Sequence, residues 1–185
     1  MPLPTAIPYG IRDIKVTPYT TAAATTLGTP AVDLPYARTL SWTETEDFEE
    51  LRGDDTIITT KGKGPEVEWE LEAGGLSLPA LKVIDGGTIT ESGTTPAIKI
   101  SYKKLNTESK PFFHLEGQVI SDSGGDVHLV MDRCRASGDF EGEFTDGEFF
   151  LTACGGVALG SLITGREGIV FEFVQNETAD AIGAP

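Results

Sequence analysis

Lysine and arginine are scarce in this chain: 14 residues of 185, against 29 aspartates and glutamates, for a formal charge of −15. Charged residues make up only 23% of the total, so the imbalance comes from a shortage of cations. A free-standing binder of DNA or RNA phosphates needs a basic stripe to displace counterions, and that function is excluded. Attachment to the surface of an anionic membrane is disfavoured for the same reason. Only two cysteines occur, Cys134 and Cys154. They cannot make a disulfide framework and read as small buried apolar residues in a reducing compartment. No apolar run approaches the roughly 20 residues of a membrane span, so no membrane anchor is expected. Met1-Pro2-Leu3-Pro4-Thr5 has neither a basic nor an apolar signal region, which points to synthesis in a cytoplasm.

Residues that carry chemistry are equally thin. The two histidines, His114 and His128, lie on expected strands either side of a loop. No Cys or His spacing matches a zinc site, so they read as strand histidines at a sheet surface. The Gly-X-Ser-X-Gly elbow and a phosphate-cradling Gly-Lys-Ser/Thr loop are both missing. Ser121-Asp122-Ser123-Gly124-Gly125-Asp126 lacks the spaced carboxylates and closing Glu of a calcium loop and reads as a hairpin turn. An acidic pair could serve a hydrolase, but among 29 acids some pair always lies at a workable separation. No catalytic residue, cofactor or metal ligand is therefore nominated. A secreted carbohydrate-binding β-sandwich is the other alternative. It would need a platform of exposed aromatics and a leader, and Trp42 and Trp69 are the only tryptophans.

What is present is mostly strand. Hydrophobic residues reach 39%, enough for a core but below a typical globular domain. The length suits one domain spanning 1–185, with an extended N-terminal segment (1–33), a projecting hairpin (43–60) and a polar C-terminal tail (176–185). The clearest pattern is Glu66-Val67-Glu68-Trp69-Glu70-Leu71-Glu72. Side chains alternate faces along a strand, so Val67, Trp69 and Leu71 point one way and Glu66, Glu68, Glu70 and Glu72 the other. The stripe has two readings. It is the solvated face of an edge strand whose charges block aggregation, or a surface that must stay anionic because something anionic passes it.

Residues 43 to 60 form the second notable stretch, strongly acidic up to a Gly53-Asp54-Asp55 turn and β-branched from Thr56 to Thr60. It is either a flexible loop or a docking arm that uses Glu46, Phe48, Leu51, Arg52, Asp54, Asp55 and Ile57. Lys61-Gly62-Lys63-Gly64-Pro65 is expected to break the strand that follows the turn. One helix is expected over about 77–85: Ser77 is an N-cap, Pro79 falls in the first turn, and Gly86-Gly87 ends it, with Leu81 and Ile84 as core positions. Further strands are expected at 11–16, 97–102, 112–120, 127–134 and 169–174. Phe140–Thr145 and Glu148–Ala153 should make a hairpin turning at Asp146-Gly147, and Gly155–Gly168 should be irregular. About nine strands and one helix make a mainly β fold, a β-sandwich or barrel of two packed antiparallel sheets with one short flanking helix.

Several segments together resemble the major tail tube protein of long-tailed bacteriophages with non-contractile tails. They are Leu51-Arg52-Gly53-Asp54-Asp55, Val67 to Gly87, Phe112 to Asp122 with Asp126 to Val130 and Arg133, Gly142 to Phe149, and Phe171 to Thr178. Each motif is short, and their order over roughly Ala37 to Thr178 carries the likeness. The resemblance implies a virion structural protein with the tail-tube fold and no enzymatic activity. Six copies would form a ring, and rings would stack into a tube that conducts genomic DNA during ejection. Assembly would occur in the bacterial host cytoplasm, with the protein ending in the virion tail. The implied partners are further copies of itself, tail terminator, tape-measure and distal tail proteins, and double-stranded DNA passing without stable binding. The Glu66 to Glu72 stripe would then include lumen-facing positions, and the hairpin would be the arm that reaches the adjacent ring.

Overall fold

A strand that alternates Glu with Val, Trp and Leu can bury only one face, so a second layer must cover the Val-Trp-Leu side. The computed structural model, which describes residues 3–138 and 140–183, supplies that layer. Met1 and Pro2 of the N-terminal segment, Asp139, and the last two residues of the polar tail lie outside the described residues. In chain order the elements are β1 (Pro8–Pro18), β2 (Val32–Asp33), β3 (Ala37–Gly53), β4 (Thr56–Gly74), α1 (Leu78–Asp85), β5 (Thr88–Ser92), β6 (Lys99–Lys103), β7 (Phe113–Ser121), β8 (Asp126–Ala136), β9 (Leu151–Leu159) and β10 (Glu172–Asn176). Strand accounts for 53% of the chain and helix for 4%. All pairings are antiparallel, which is the mainly β sandwich with one short helix expected above.

The large sheet runs β2-β1-β7-β8-β9-β4-β3, with β10 also on β8, while β5 and β6 form a separate ribbon. β8 belongs to both layers. Its first half, Asp126 to Val130, pairs with β10, and its last four residues, Arg133 to Ala136, pair with β9. Ile14 and Val16 of β1, Phe113 and Leu115 of β7, and Leu129 and Met131 of β8 pack in one cluster with Val67, Trp69 and Leu71 of β4. Trp69 meets Phe113 edge to face at 5.7 Å between centroids, a favoured aromatic geometry.

Gly156 lies beneath that tryptophan. A Cβ there would fall 2.6 Å from the indole and 2.2 Å from the Arg135 carbonyl, so only glycine fits. The helix closes one end of the core. The Ser77 hydroxyl accepts from the Ala80 N–H at 3.4 Å, and the Gly86 N–H, at a φ of 88°, returns to the Lys82 carbonyl. Ala80, Val83 and Ile84 join the cluster, with Leu81 buried beside it.

Several expectations need correction. Lys61–Pro65 does not break β4, which continues through it; a register slip between Glu46 and Phe48 on β3 absorbs the irregularity. Phe140–Thr145 and Glu148–Ala153 do not form a hairpin. Only Glu141 bridges to Ala153, and β9 begins at Leu151. A hairpin there would have no layer to bury its phenylalanines. β9 also takes in Gly155 to Leu159, which reduces the irregular stretch. The late strand sits at Glu172–Asn176 rather than 169–174, and the strands number ten among the described residues. β5 is added. It is Thr-Ile-Thr-Glu-Ser, nearly all polar, and pairs only with β6.

Candidate functional site

β4 is not an edge strand: it lies between β9 and β3. Glu66, Glu68 and Glu70 are exposed and Glu72 is half-buried, while Val67, Trp69 and Leu71 are buried on the other face. The reading of the stripe as an edge-strand device therefore falls, because the pairing edge is already occupied on both sides.

Register identifies what flanks the carboxylates. On β3 their partners are Thr45, Thr43, Ser41 and Thr39; on β9, Glu68, Glu70 and Glu72 sit opposite Val157, Gly155 and Ala153. Directly opposed residues share a face, so the glutamates stand between a row of hydroxyls and a row of small side chains. Arg38 pairs with Glu72 at 3.1 Å, an exposed contact at the end of the stripe. The surface is anionic and hydroxylated.

The same two strands continue past this face as the hairpin. Its turn places Asp54 and Asp55 at φ of 49° and 60°, the paired left-handed conformation of a tight hairpin turn, which aspartate tolerates. Glu46, Phe48, Leu51, Arg52 and Ile57 are exposed along it, as is Ile58. Arg52 binds Glu50 at 2.7 Å, and Lys63 stands 3.9 Å from Glu49. Exposed pairs like these contribute little, so the hairpin holds its shape mainly through its backbone ladder. The outer side of β3 has no strand paired to it among the described residues.

The histidines are not surface residues. His114 and His128 are buried in a polar network on the face of β7 and β8 opposite the apolar core. Glu116 lies between them, 2.6 Å from His128 Nδ1 and 3.7 Å from His114 Nε2. His114 Nδ1 reaches Asp132 at 3.2 Å, and Arg166 Nε donates to the same carboxylate at 2.8 Å. Asp126, fully buried, accepts from Gln118, Asn176 and the Asp180 N–H. The Asp180 carbonyl in turn accepts from Gln118 at 2.6 Å, and Lys15 Nζ donates to the Ile182 carbonyl. The C-terminal segment is therefore docked over this network.

Burial alone would lower both histidine pKa values, but hydrogen bonds to Asp132 and Glu116 (His114) and to Glu116 and Asp126 (His128) outweigh it and raise them. Burial opposes ionisation of Asp126 and Asp132 too. Their hydrogen-bond donors prevail and pull both down to about 2. Sequence reading missed this network because its members come from β7, β8 and a segment some fifty residues further on.

Among the described residues no group of three or more His, Cys, Asp or Glu is placed to hold a metal ion. Nor, among them, is any helix long and apolar enough to cross a membrane. Both cysteines are free and buried, and burial pushes the thiol of Cys154 up to about 11 and that of Cys134 upward as well. No protein-family model matches the chain, and no curated protein sequence compared with it matches either.

Proposed function

We propose that this protein is a self-assembling structural subunit of a bacteriophage tail tube, built into stacked rings through which DNA passes. The observation that carries the reading is the anionic face of β4. Four glutamates stand on an interior strand of the sheet, flanked by hydroxyls and small side chains, with Arg38 paired to Glu72 at one end. Duplex DNA presents one negative charge per about 1.7 Å of axis. A cationic wall would hold it; carboxylates repel it at short range, within a Debye length of about 8 Å. The hydroxyl row on β3 and the small side chains on β9 leave no large apolar group beside the carboxylates for the duplex to adhere to.

Two further features fit. β3 offers 17 residues of strand with an open outer side, a template for pairing with a neighbouring copy. The hairpin carries Phe48, Leu51, Ile57 and Ile58 away from the core, where they remain exposed in a single chain. Such apolar exposure marks a surface for a partner. Electron microscopy of concentrated purified protein tests the reading. Stacked rings or tubes are expected. A monodisperse monomer at every concentration and salt tried would overturn it, and glycan binding by that monomer would favour the carbohydrate-module alternative.

A further inference from the structure

The scarce cations are not evenly spread. Arg133 and Arg135 of β8 hold their guanidinium groups 4.5 and 5.2 Å from the ring centroid of Phe112. Arg135 Nε donates to the Lys110 carbonyl at 3.0 Å. Tyr19, Pro111 and Phe112 form a shared wall between two clefts, of about 370 and 670 Å³; Lys110 and Arg135 line the first and Lys82 the second. Asp85, nearby, is engaged by Lys104 at 2.5 Å, with Lys110 at 4.0 Å. Arg133 keeps a buried Nε–H with no acceptor. This is a cationic, aromatic-walled surface on a strongly acidic protein.

Its complement is on the same chain. No lysine or arginine occurs between Arg135 and Arg166. Within that span, Phe140 to Phe150 forms an irregular loop with exposed Glu141, Glu143, Asp146 and Glu148. Phe144 and Phe149 are 89% and 94% exposed. Both rings forgo the stabilisation that burial would give, and the carboxylates repel one another.

The root of the loop is held at its own cationic surface, where Lys110 Nζ donates to the Gly138 carbonyl at 2.6 Å, and the chain then runs off along β9. Along β9, Arg135 sits opposite Val157, the Gly138 N–H reaches Gly155, and Glu141 bridges to Ala153. Each step moves toward the start of β9 and away from Arg135. We propose that the Phe140–Phe150 loop of one copy docks on the Phe112–Arg135 surface of a second copy, its phenylalanines against the aromatic-proline wall and its carboxylates against Lys82 and Arg135. The contact joins two different patches, so it either closes reciprocally about a two-fold axis or propagates into rings or open stacks. It does not rest on the tube reading.

Sedimentation velocity across a concentration series tests it. F144A/F149A should stay folded, because both rings are exposed, and should self-associate at least about tenfold more weakly than the parent. K82E, at an exposed position, should weaken association without touching the core. The decisive measurement uses charge reversal. K82E/R135E and E143K/E148K should each be monomeric alone and associate when mixed, because every contact in an alternating assembly is then complementary. Parent-like association of F144A/F149A overturns the proposal. So does a mixture that stays monomeric when both proteins are folded by circular dichroism, or a parent chain that never associates. Tubes that persist in F144A/F149A would remove this contact and leave the tube reading standing. Association that depends on Phe144 and Phe149 without tubes would do the reverse.

Discussion

At the scale of single residues, the buried network sets the pH range of the fold. The folded pKa values of His114 and His128 lie above the ordinary 6.5. Their contribution is therefore complete below 6.5 and is lost as pH rises through the raised values. Asp126 and Asp132 are depressed from 3.8 to about 2, so theirs is complete above about 4 and is lost as pH falls toward 2. The urea midpoint should be highest between about pH 4 and 6.5 and fall on both sides. H114Q should flatten the alkaline limb and D126N the acid limb. A parent profile with no alkaline decline up to about pH 9 would contradict the assignment.

Asp126→Ala should cost about 3 kcal/mol or more, because several buried donors lose their acceptor together. Trp69→Ala should cost about 3–5 kcal/mol, and Trp69→Asp should not fold, since it buries an unpaired charge. Circular dichroism in a denaturant series checks all three. The tryptophan was legible from sequence because its neighbours alternate. The network was not, because nothing local marks His114 and Arg166 as meeting at one carboxylate.

Among the elements, the hairpin is the separable one. Its strands bond chiefly to each other beyond Glu66, and its apolar side chains stay outside the core. Deleting Glu46 to Ile57 should leave a folded monomer with a melting temperature close to the parent's and abolish tubes. Normal tubes from the deletion, seen by negative-stain microscopy, would remove the arm from assembly. The hairpin turn and α1 were readable because their signals are backbone chemistry: two aspartates that tolerate positive φ, a serine cap, a terminal glycine. Two elements misled. Lys61–Pro65 carries the residues of a breaker, yet pairing with β3 holds β4 through it. Phe140–Ala153 carries the alternation of a hairpin, yet lacks a layer to cover it. Periodicity states which face could be buried; it does not say whether anything is there to bury it.

For the whole molecule, charge would oppose the proposed assembly. A ring of six copies carries six times the chain's −15, and this self-repulsion must be overcome by backbone pairing and apolar contacts. Raising salt from about 0.05 to 0.5 M shortens the screening length and should promote assembly, read as light scattering at constant protein concentration. A tube subunit with Glu66, Glu68 and Glu70 all changed to lysine should retain duplex DNA that the parent releases, measured by co-sedimentation of tubes with DNA. Equal release by both would detach the stripe from the conduit role.

β8, which serves both layers, bears on how such an assembly carries load. Two sheets joined only by loops can slide or splay like the covers of a book. Here one continuous backbone is hydrogen-bonded to β10 near its start and to β9 near its end. Shear applied to the glutamate-bearing layer passes directly along covalent bonds into the opposite layer, without first working loose a loop. The molecule therefore resists shear between its two layers as a single block, and in an array of the kind proposed bending would be left to the joints between blocks.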